Sequence, residues 1–486
     1  AVGAPYDPNS GLATGQTRIY KWNSVTNAWD QWGNDIDGSH SGEKSGSSVR
    51  LSSDGSVVAI SSPGHRGTGG IVGTTRIYEW DSANNQWSQK GNDIDGKAAE
   101  EQSFSLAGDG NTFAIAGLRP NGQWAGIQIY DWDASAKAWG QRGNTITGGN
   151  NNYLGTALSI SADGNTIAAG GTRRFGWPED PYARIYQWNV DAKSWVQRGT
   201  DIKGETDQEE HGSSVSLSSD GSILAIGASL ATTANGAGTG RTRVYQWDAT
   251  AKDWVKQGSD INGLTGESSG ETVSLSSNGS ILAIQGREIS NNSTTRLYQW
   301  DAIAKDWVQI GNGINDGRDQ EYAMALSGDG SRVAIGTPKT DFNGLGAAAW
   351  NAGSARVFTA DITTPTFSTA ATSTDGNKVI LSYDEALSAT TAATSDFTVT
   401  SGGIANEVTG VAVSGSTVEL TLTDTVQNDQ AVTVAYADPS GSNDSNAVQD
   451  SQGNDAASLS STAVTNNSTV AGTPPTFSSA ATNTDG

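Results

Sequence analysis

A five-residue phrase, Arg-(Ile/Val/Leu)-Tyr-x-Trp, recurs through the first three quarters of the chain and limits what it can fold into. It reads TRIYKW at 17–22, TRIYEW at 75–80, ARIYQW at 183–188, TRVYQW at 242–247 and TRLYQW at 295–300. IQIYDW at 127–132 lacks the arginine, and ARVFTA at 355–360 is a degenerate seventh copy. The tyrosine position falls at 20, 78, 130, 186, 245 and 298, then at Phe358, in steps of 58, 52, 56, 59, 53 and 60 residues. Each unit holds four short runs that alternate apolar and polar residues, the period of a β-strand. In the fifth unit they are SSVSLSSDG, ILAIGAS, TRVYQWD and DWVKQGSDI, here called strands a, b, c and d. Helical periodicity is absent. Four strands per unit, seven times over, predicts an all-β fold: a seven-bladed β-propeller of four-stranded blades, its first and last blades incomplete.

Two of the connections have fixed length. The a-strand leucine and b-strand isoleucine are nine apart in Leu51/Ile60, Leu106/Ile115, Leu217/Ile226, Leu275/Ile284 and Leu326/Ile335, with Ser-x-Asp-Gly or close kin between. The c and d tryptophans are seven apart at 22/29, 80/87, 132/139, 188/195, 247/254 and 300/307. The b-to-c interval instead runs from 14 residues (Ile284 to Tyr298) to 23 (Ile335 to Phe358), and d-to-a also varies. In a radial blade the a–b and c–d turns share one face, and the b–c and d–a loops share the other. The second face is where variation is tolerated and where binding residues are expected.

Composition narrows the partners. Against 29 Lys and Arg stand 52 Asp and Glu, a net charge of −23, which argues against nucleic acid or an anionic membrane. Such a balance suits an extracellular protein in a salty medium. With no cysteine, disulfides and thiolate metal sites are ruled out, which points to a bacterial surface protein. No apolar run approaches the roughly 18 residues of a membrane span, so no membrane insertion is expected in this segment.

The unit resembles the FG-GAP repeat of bacterial surface proteins, related to the propeller of integrin α chains. The resemblance rests on SLSSDGSILAIGAS (216–229), on Gly3-Ala4-Pro5 and its variant Ser61-Ser62-Pro63, and on the following RVYQW and WVKQGSDI, over residues 1–361. Calcium-binding members carry several acidic residues in the a–b turn. Here each turn has one, Asp54, Asp109, Asp163, Asp220 or Asp329, and the sixth has only Asn278. Calcium requires six to eight oxygens, so these are read as Asp-Gly hairpin turns.

After residue 360 only alternating Thr-, Ala- and Val-rich strands follow, and tryptophan stops. KVILSYDEAL, DFTVTSG, VTGVAVSG, TVELTLTD and QAVTVAYAD predict an Ig-like β-sandwich over 362–472. PPTFSSAATNTDG (473–486 with its preceding Thr) restarts the opening phrase TPTFSTAATSTDG, Pro365 to Pro475 being 110 residues, so a second, truncated copy is expected there. This module resembles the SWM-type repeats of giant bacterial cell-surface proteins of marine cyanobacterial type. The resemblance implies an extracellular tandem array used in adhesion, surface structure or motility. Near its end, DPSGSNDSNAVQDSQGND offers Asp438, Asp444, Asp450 and Asp455 as candidate ligands for a structural Ca²⁺; the competing reading is a solvated Asn/Asp/Gly/Ser loop.

Catalytic signals are scarce. The three histidines, His40, His65 and His211, have no metal-ligand spacing and fall on variable loops of different units. Glycine-rich stretches lack the helix and lysine of a phosphate cradle, and no carboxylate pair stands out. No enzyme and no certain cofactor is expected. Twelve of the sixteen tryptophans are the paired c and d residues, read as packing at the blade seams. Trp124, Trp177 and Trp350 lie in b–c intervals. RRFGWPEDPY (173–182) gathers Arg173, Arg174, Phe175, Trp177 and Tyr182, the aromatic-plus-arginine chemistry of a glycan or protein contact. With Trp124, Trp350, His65 and Arg66 these are the candidate ligand-binding residues of the variable face. The expected function is a non-enzymatic segment of a large secreted surface protein, the propeller an interaction head on an Ig-like stalk. Its partners would be other cell-surface proteins, copies of itself or glycans. A lectin-like or phage-fibre-like propeller is the alternative, and a glycan-active enzyme is third.

AVGAP at the start aligns with LAIGAS (224–229) and VAIGTP (333–338), so it reads as a b strand. The sequence then holds six a, seven b, seven c and six d strands. The missing d and a strands are expected on roughly 25–35 upstream residues that would close the ring.

Overall fold

The computed structural model describes residues 1–6, 14–67, 70–71, 73–95, 100–118, 124–148, 153–172, 182–206, 209–287, 292–302, 304–318, 323–337, 354–439, 446–450 and 453–472. The chain is all-β and folds as two compact units, with the main division between Ala360 and Asp361.

In the first unit the repeat becomes a series of antiparallel sheets. The fifth is representative: His211–Leu217, Ile223–Ala228, Arg241–Asp248 and Asp253–Lys256 pair in that order, as a, b, c and d. A short continuation of d, Ile261–Asn262, returns to pair with the start of c at Arg241 and Thr242. The first repeat contains b, c and d strands, beginning at Val2–Ala4, with c divided so that Gln16–Arg18 pairs with b and Tyr20–Asn23 with d. The seventh contains Ala323–Leu326, Arg332–Thr337 and Ser354–Thr359 as a, b and c. Among the described residues this gives six a, seven b, seven c and six d strands, as the sequence predicts. The b strands are near-continuous apolar runs because neighbouring sheets cover both of their faces; all six residues of Val57–Ser62 are buried.

The a strands are stitched side to side by serine. A backbone N–H of one a strand donates to the serine hydroxyl of the preceding one: Ile160 to Ser105 (3.2 Å), Leu217 to Ser159 (2.9 Å), Leu275 to Ser216 (3.0 Å) and Leu326 to Ser274 (3.3 Å). The a–b turns join in a second line of backbone bonds, including Ala162 N–H to Ser219 O (2.8 Å), Ser219 to Ser277 (2.8 Å) and Ser277 to Gly328 (2.7 Å). The turn aspartates are spent inside their own hairpins. Asp220 Oδ1 accepts from Ser218 Oγ (2.6 Å) and from Ser222 N (3.0 Å) and Oγ (2.8 Å); Asp54, Asp163 and Asp329 likewise accept from the serine two before and the N–H two after, and Asp109, with Ala107 before it, accepts from the Asn111 N–H. That arrangement does not fit a calcium loop.

The outer seams belong to tryptophan. Each c/d pair lies directly across its hairpin, as in Trp247 opposite Trp254, with ring centroids 5.6 Å apart. The d-strand indole N–H then donates to a carbonyl of the preceding sheet: Trp87 to Trp32 (2.8 Å), Trp139 to Lys90 (2.8 Å), Trp195 to Arg142 (3.1 Å), Trp254 to Arg198 (3.0 Å) and Trp307 to Gln257 (3.2 Å). Each acceptor lies three residues after its own d-strand tryptophan. Its side chain covers the next pair: Arg142 is 4.5 Å from the Trp188 ring, Arg198 is 4.5 Å from Trp247, and Trp32 takes the same place at 4.7 Å from Trp80. This geometry explains the glycine of Trp-x-Gln-x-Gly. Gly91 and Gly143 have φ near +80° and +72°, and a Cβ on either would sit 2.8 Å from Trp132 or Trp188 of the next sheet.

The second unit is a sandwich of two four-stranded antiparallel sheets. One pairs Phe367–Thr372, Lys378–Tyr383, Thr417–Leu422 and Val408–Ser414; the other pairs Ile404–Asn406, Phe397–Ser401, Val432–Tyr436 and Leu459–Val464. Alternation sends Val379, Leu381, Val418 and Leu420 inward against Phe397, Val399, Val434 and Tyr436. Among the described residues no helix is long and apolar enough to cross a membrane. The truncated second copy expected at 473–486 lies outside the described residues.

Candidate functional site

In four units the arginine of the c-strand phrase points to the variable-loop face, where it meets an aspartate seventeen residues on. The pairs are Arg18–Asp35 (3.2 Å), Arg76–Asp93 (2.9 Å), Arg184–Asp201 (2.5 Å) and Arg243–Asp260 (3.0 Å). The third unit lacks both partners, with Gln128 and Thr145 in those places, and the sixth has Arg296 but Gly313. Arg296 turns instead to Glu267, at 2.6 Å. Burial works against the Asp260 carboxylate, but Arg243 and Lys256 outweigh it and hold its pKa down at about 2.

A buried glutamate in the d–a loop completes this layer at three seams. Glu43, Glu209 and Glu267 each stand eight residues before an a-strand leucine, at 51, 217 and 275, and each is at most 2% exposed. Glu43 accepts from the backbone N–H of Ser39 (2.6 Å) and His40 (3.0 Å), and binds Arg76 of the next sheet at 2.6 Å. Glu267 accepts from Leu264 N–H (3.0 Å) and Arg296. Glu209 accepts from the N–H of Glu205. Each glutamate folds its own loop, and two of them also tie that loop to the following blade. Burial raises the Glu43 carboxyl, but Arg76 and the two backbone donors more than offset it, so the group stays ionised below its ordinary range.

At the first of these seams two histidines join. His65 is mostly buried, with Nδ1 3.1 Å from Glu43 Oε1 and Nε2 3.9 Å from Asp95 Oδ1. The His40 ring lies edge-on to it, with centroids 5.7 Å apart, and its Nδ1 meets Ser39 Oγ at 2.8 Å. Sequence spacing singled out His65 and Arg66 on this face but gave no sign that His40, Glu43, Asp93 and Asp95 would gather around His65. Arg66 is exposed to solvent. His211, by contrast, is fully buried beside Arg243 and Arg241, and burial with those charges pushes its pKa down to about 3.

Of the other residues expected on this face, Tyr182 belongs to the core. It is 4% exposed, packs with Ile127, Leu154 and Trp195, and has Arg184 over its ring at 4.9 Å. Arg173, Arg174, Phe175, Trp177 and Trp350 lie outside the described residues, and Trp124 opens the c strand Trp124–Asp133.

In the sandwich, Asp450 is buried and has carboxylate oxygens near those of Asp361 and Glu385, all within 4.8 Å of one another. Asp438 and Asp455 do not join that group, and Asp444 lies outside the described residues. Asn454, fully buried, donates to Asp450 from its backbone (2.9 Å) and side chain (2.8 Å), while its Oδ1 has no partner. Burial and the charges of Asp450, Asp361 and Asp384 raise the Glu385 pKa.

A cavity of about 490 Å³ opens elsewhere, along the outer seam between the fourth and fifth sheets, lined by Gln187, Trp188, Gln197, Arg198, Trp247 and Lys252.

Comparison with known proteins finds one family match, to the SWM_repeat family, described as "Putative flagellar system-associated repeat", over residues 360–441. No curated protein matches the chain. Among solved structures it is similar to the periplasmic gluconolactonase PpgL of Pseudomonas aeruginosa, at 13% identity over 74% of this chain and 98% of that one, TM-score 0.47. The β-propeller domain of the Trilobed protease from Pyrococcus furiosus, described with an open velcro topology, matches at 13% identity over 72% and 88%, TM-score 0.38. The Dos1 propeller matches at 12% identity over 82% and 81%, TM-score 0.36.

Proposed function

We propose that the chain is a non-enzymatic segment of a large secreted bacterial surface protein, in which an FG-GAP-like seven-bladed propeller serves as an interaction head and the sandwich is one unit of a repeat stalk. The observation that carries this reading is the SWM_repeat match at 360–441, directly following the propeller strands. A repeat of a flagellar system-associated family fits a role in adhesion, surface-layer or filament structure, or motility. The partners are other surface proteins, further copies of the chain or glycans. Support also comes from where the polar residues go: the recurrent serines, turn aspartates, arginines and tryptophans are used in holding neighbouring strands and blades together. Nothing in that pattern converges on a catalytic set.

The test is binding of the labelled full chain to whole bacterial cells and to a glycan array. Saturable cell binding that free sugars do not compete supports a protein-binding head. A second reading, a carbohydrate-binding propeller, is favoured by the cavity where Trp188, Gln187 and Lys252 offer a stacking surface beside hydrogen-bonding groups. Selective array hits abolished by Trp188→Ala would establish it and displace the first reading. Turnover of any glycan on that array would overturn both.

Calcium in the sandwich accompanies the first reading as a proposal, with the ligands now Asp361, Glu385 and Asp450. Calorimetric titration should show calcium heat that Asp450→Asn removes; no heat with the full chain would end the idea.

A further inference from the structure

We propose that His40, His65 and Asp95 form a binding site for a zinc-class divalent cation at the seam between the first two blades, with Glu43 as its supporting carboxylate. Three observations carry it.

The first is donor geometry. One ligand atom each of His40, Glu43 and His65 lies within 4.8 Å of the others, and the same holds for His65, Asp93 and Asp95. His65 belongs to both sets, with the His40 ring centroid 5.7 Å from its own, so its imidazole links His40 on one side to Asp95 on the other. Its Nδ1 faces Glu43 Oε1 at 3.1 Å, which fixes the proton on Nδ1 and leaves Nε2 as the lone-pair donor. That Nε2 is 3.9 Å from Asp95 Oδ1. Two ligands of a tetrahedral zinc stand about 3.4 Å apart, so a small side-chain rotation closes the difference.

The second is preorganisation. A metal-bound histidine commonly gives its other ring N–H to a carboxylate, which orients the ring and raises its basicity. Glu43 is fully buried and does this for His65, while the same carboxylate holds the backbone N–H of Ser39 and His40. One side chain therefore positions both imidazoles. Glu43 and Asp93 flank the Arg76 guanidinium and Asp95 faces His65, so three carboxylates stand against one guanidinium and the cluster carries a net charge of −2 before a cation enters.

The third is that the fold does not need the histidines. The glutamate–arginine tie recurs as Glu267–Arg296, where Leu264 occupies the place of His40. At the seam of the fourth and fifth sheets the places of His40, His65 and Asp95 are taken by Thr206, Ala231 and Asn262. Gly64 N–H to Glu43 O and Leu230 N–H to Glu209 O mark these loops as equivalent. Scaffolding explains the glutamate; it leaves two of the protein's three histidines unexplained at one seam alone.

The experiment is titration of the full chain with Co²⁺, read by its visible absorption, and with Zn²⁺ by calorimetry and cobalt displacement. One saturating equivalent that Zn²⁺ displaces is expected, with His40→Ala weakening binding about tenfold or more and Glu43→Gln about 10–100-fold. His40 is exposed, so that variant should keep the wild-type circular dichroism and isolate the ligand from folding. No saturable spectrum up to about 100 µM free metal, an affinity too weak for a built site, would overturn the proposal. So would unchanged affinity in His40→Ala and His65→Ala, or equal displacement by Ca²⁺, which marks an all-oxygen site instead.

Discussion

If indole N–H groups clamp one blade to the next, identical substitutions at equivalent tryptophans should differ by several-fold in cost according to whether the clamp is made. Trp254→Phe is the informative case. Trp254 is 8% exposed and donates to the Arg198 carbonyl at 3.0 Å, with the Arg198 guanidinium 5.5 Å from its ring. Phenylalanine leaves that carbonyl unpaired in a buried seam, at about 1–3 kcal/mol. Weaker contact with the guanidinium adds about 0.5–1 kcal/mol, for a combined loss of about 1.5–4 kcal/mol. Trp29 holds the same place in the first sheet, but it is 44% exposed and among the described residues its N–H meets no acceptor. Trp29→Phe should therefore cost under about 0.5 kcal/mol, as surface changes do. Urea unfolding of each full-length variant, followed by far-UV circular dichroism, measures both in the propeller transition. Equal losses in the two variants would refute the clamp and assign seam cohesion to the apolar b-strand layers alone.

Acid should act through His211 before the carboxylates respond. Its folded pKa of about 3 lies below the unfolded 6.5, so the unfolded chain takes the proton first and stability falls as pH drops from 6.5 toward 3. The linkage is up to about 2 kcal/mol by pH 5. Unfolding midpoints from pH 7 to 5 should show this slope in the wild type and a flatter one in His211→Gln; Asp260, at about 2, contributes a further loss only below pH 4. Lys252 adopts φ +52° two residues before its d-strand tryptophan, as do the matching residues of the other blades, so Lys252→Gly should stabilise by up to about 1 kcal/mol and Lys252→Val should destabilise, measured by the same melts. In the sandwich, buried Tyr436 accepts the Val448 N–H at 2.9 Å. Tyr436→Phe should cost about 1–3 kcal/mol in the sandwich transition and nothing in the propeller's.

The strands and hairpins were legible because each depends on residues close in sequence. The nine-residue Leu-to-Ile and seven-residue Trp-to-Trp intervals enclose single tight turns, so their partners are set by chain geometry alone, and the pairing of Trp80 with Trp87 follows directly. The seam role of the tryptophans was legible too, though not its mechanism: an indole N–H reaching a carbonyl about fifty residues earlier leaves no mark within one repeat. One site signal was present and went unread, the glutamate eight residues before the a-strand leucine in three units. Tyr182 misled because an aromatic beside arginine looks alike on a loop or at the buried start of a strand; only packing against Leu154 and Ile127 separates them. The sequence by itself determined the repeat, its strands and the face on which loops vary. Tertiary structure decided which of these residues meet: His65 is met by His40 and Glu43 on one side and by Asp93 and Asp95 on the other, all distant in the chain, and Asp450 finds Asp361 and Glu385 rather than its neighbours in the chain. Strand pairing is a short-range property repeated seven times, whereas those meetings depend on how whole sheets stack, and no local period encodes that.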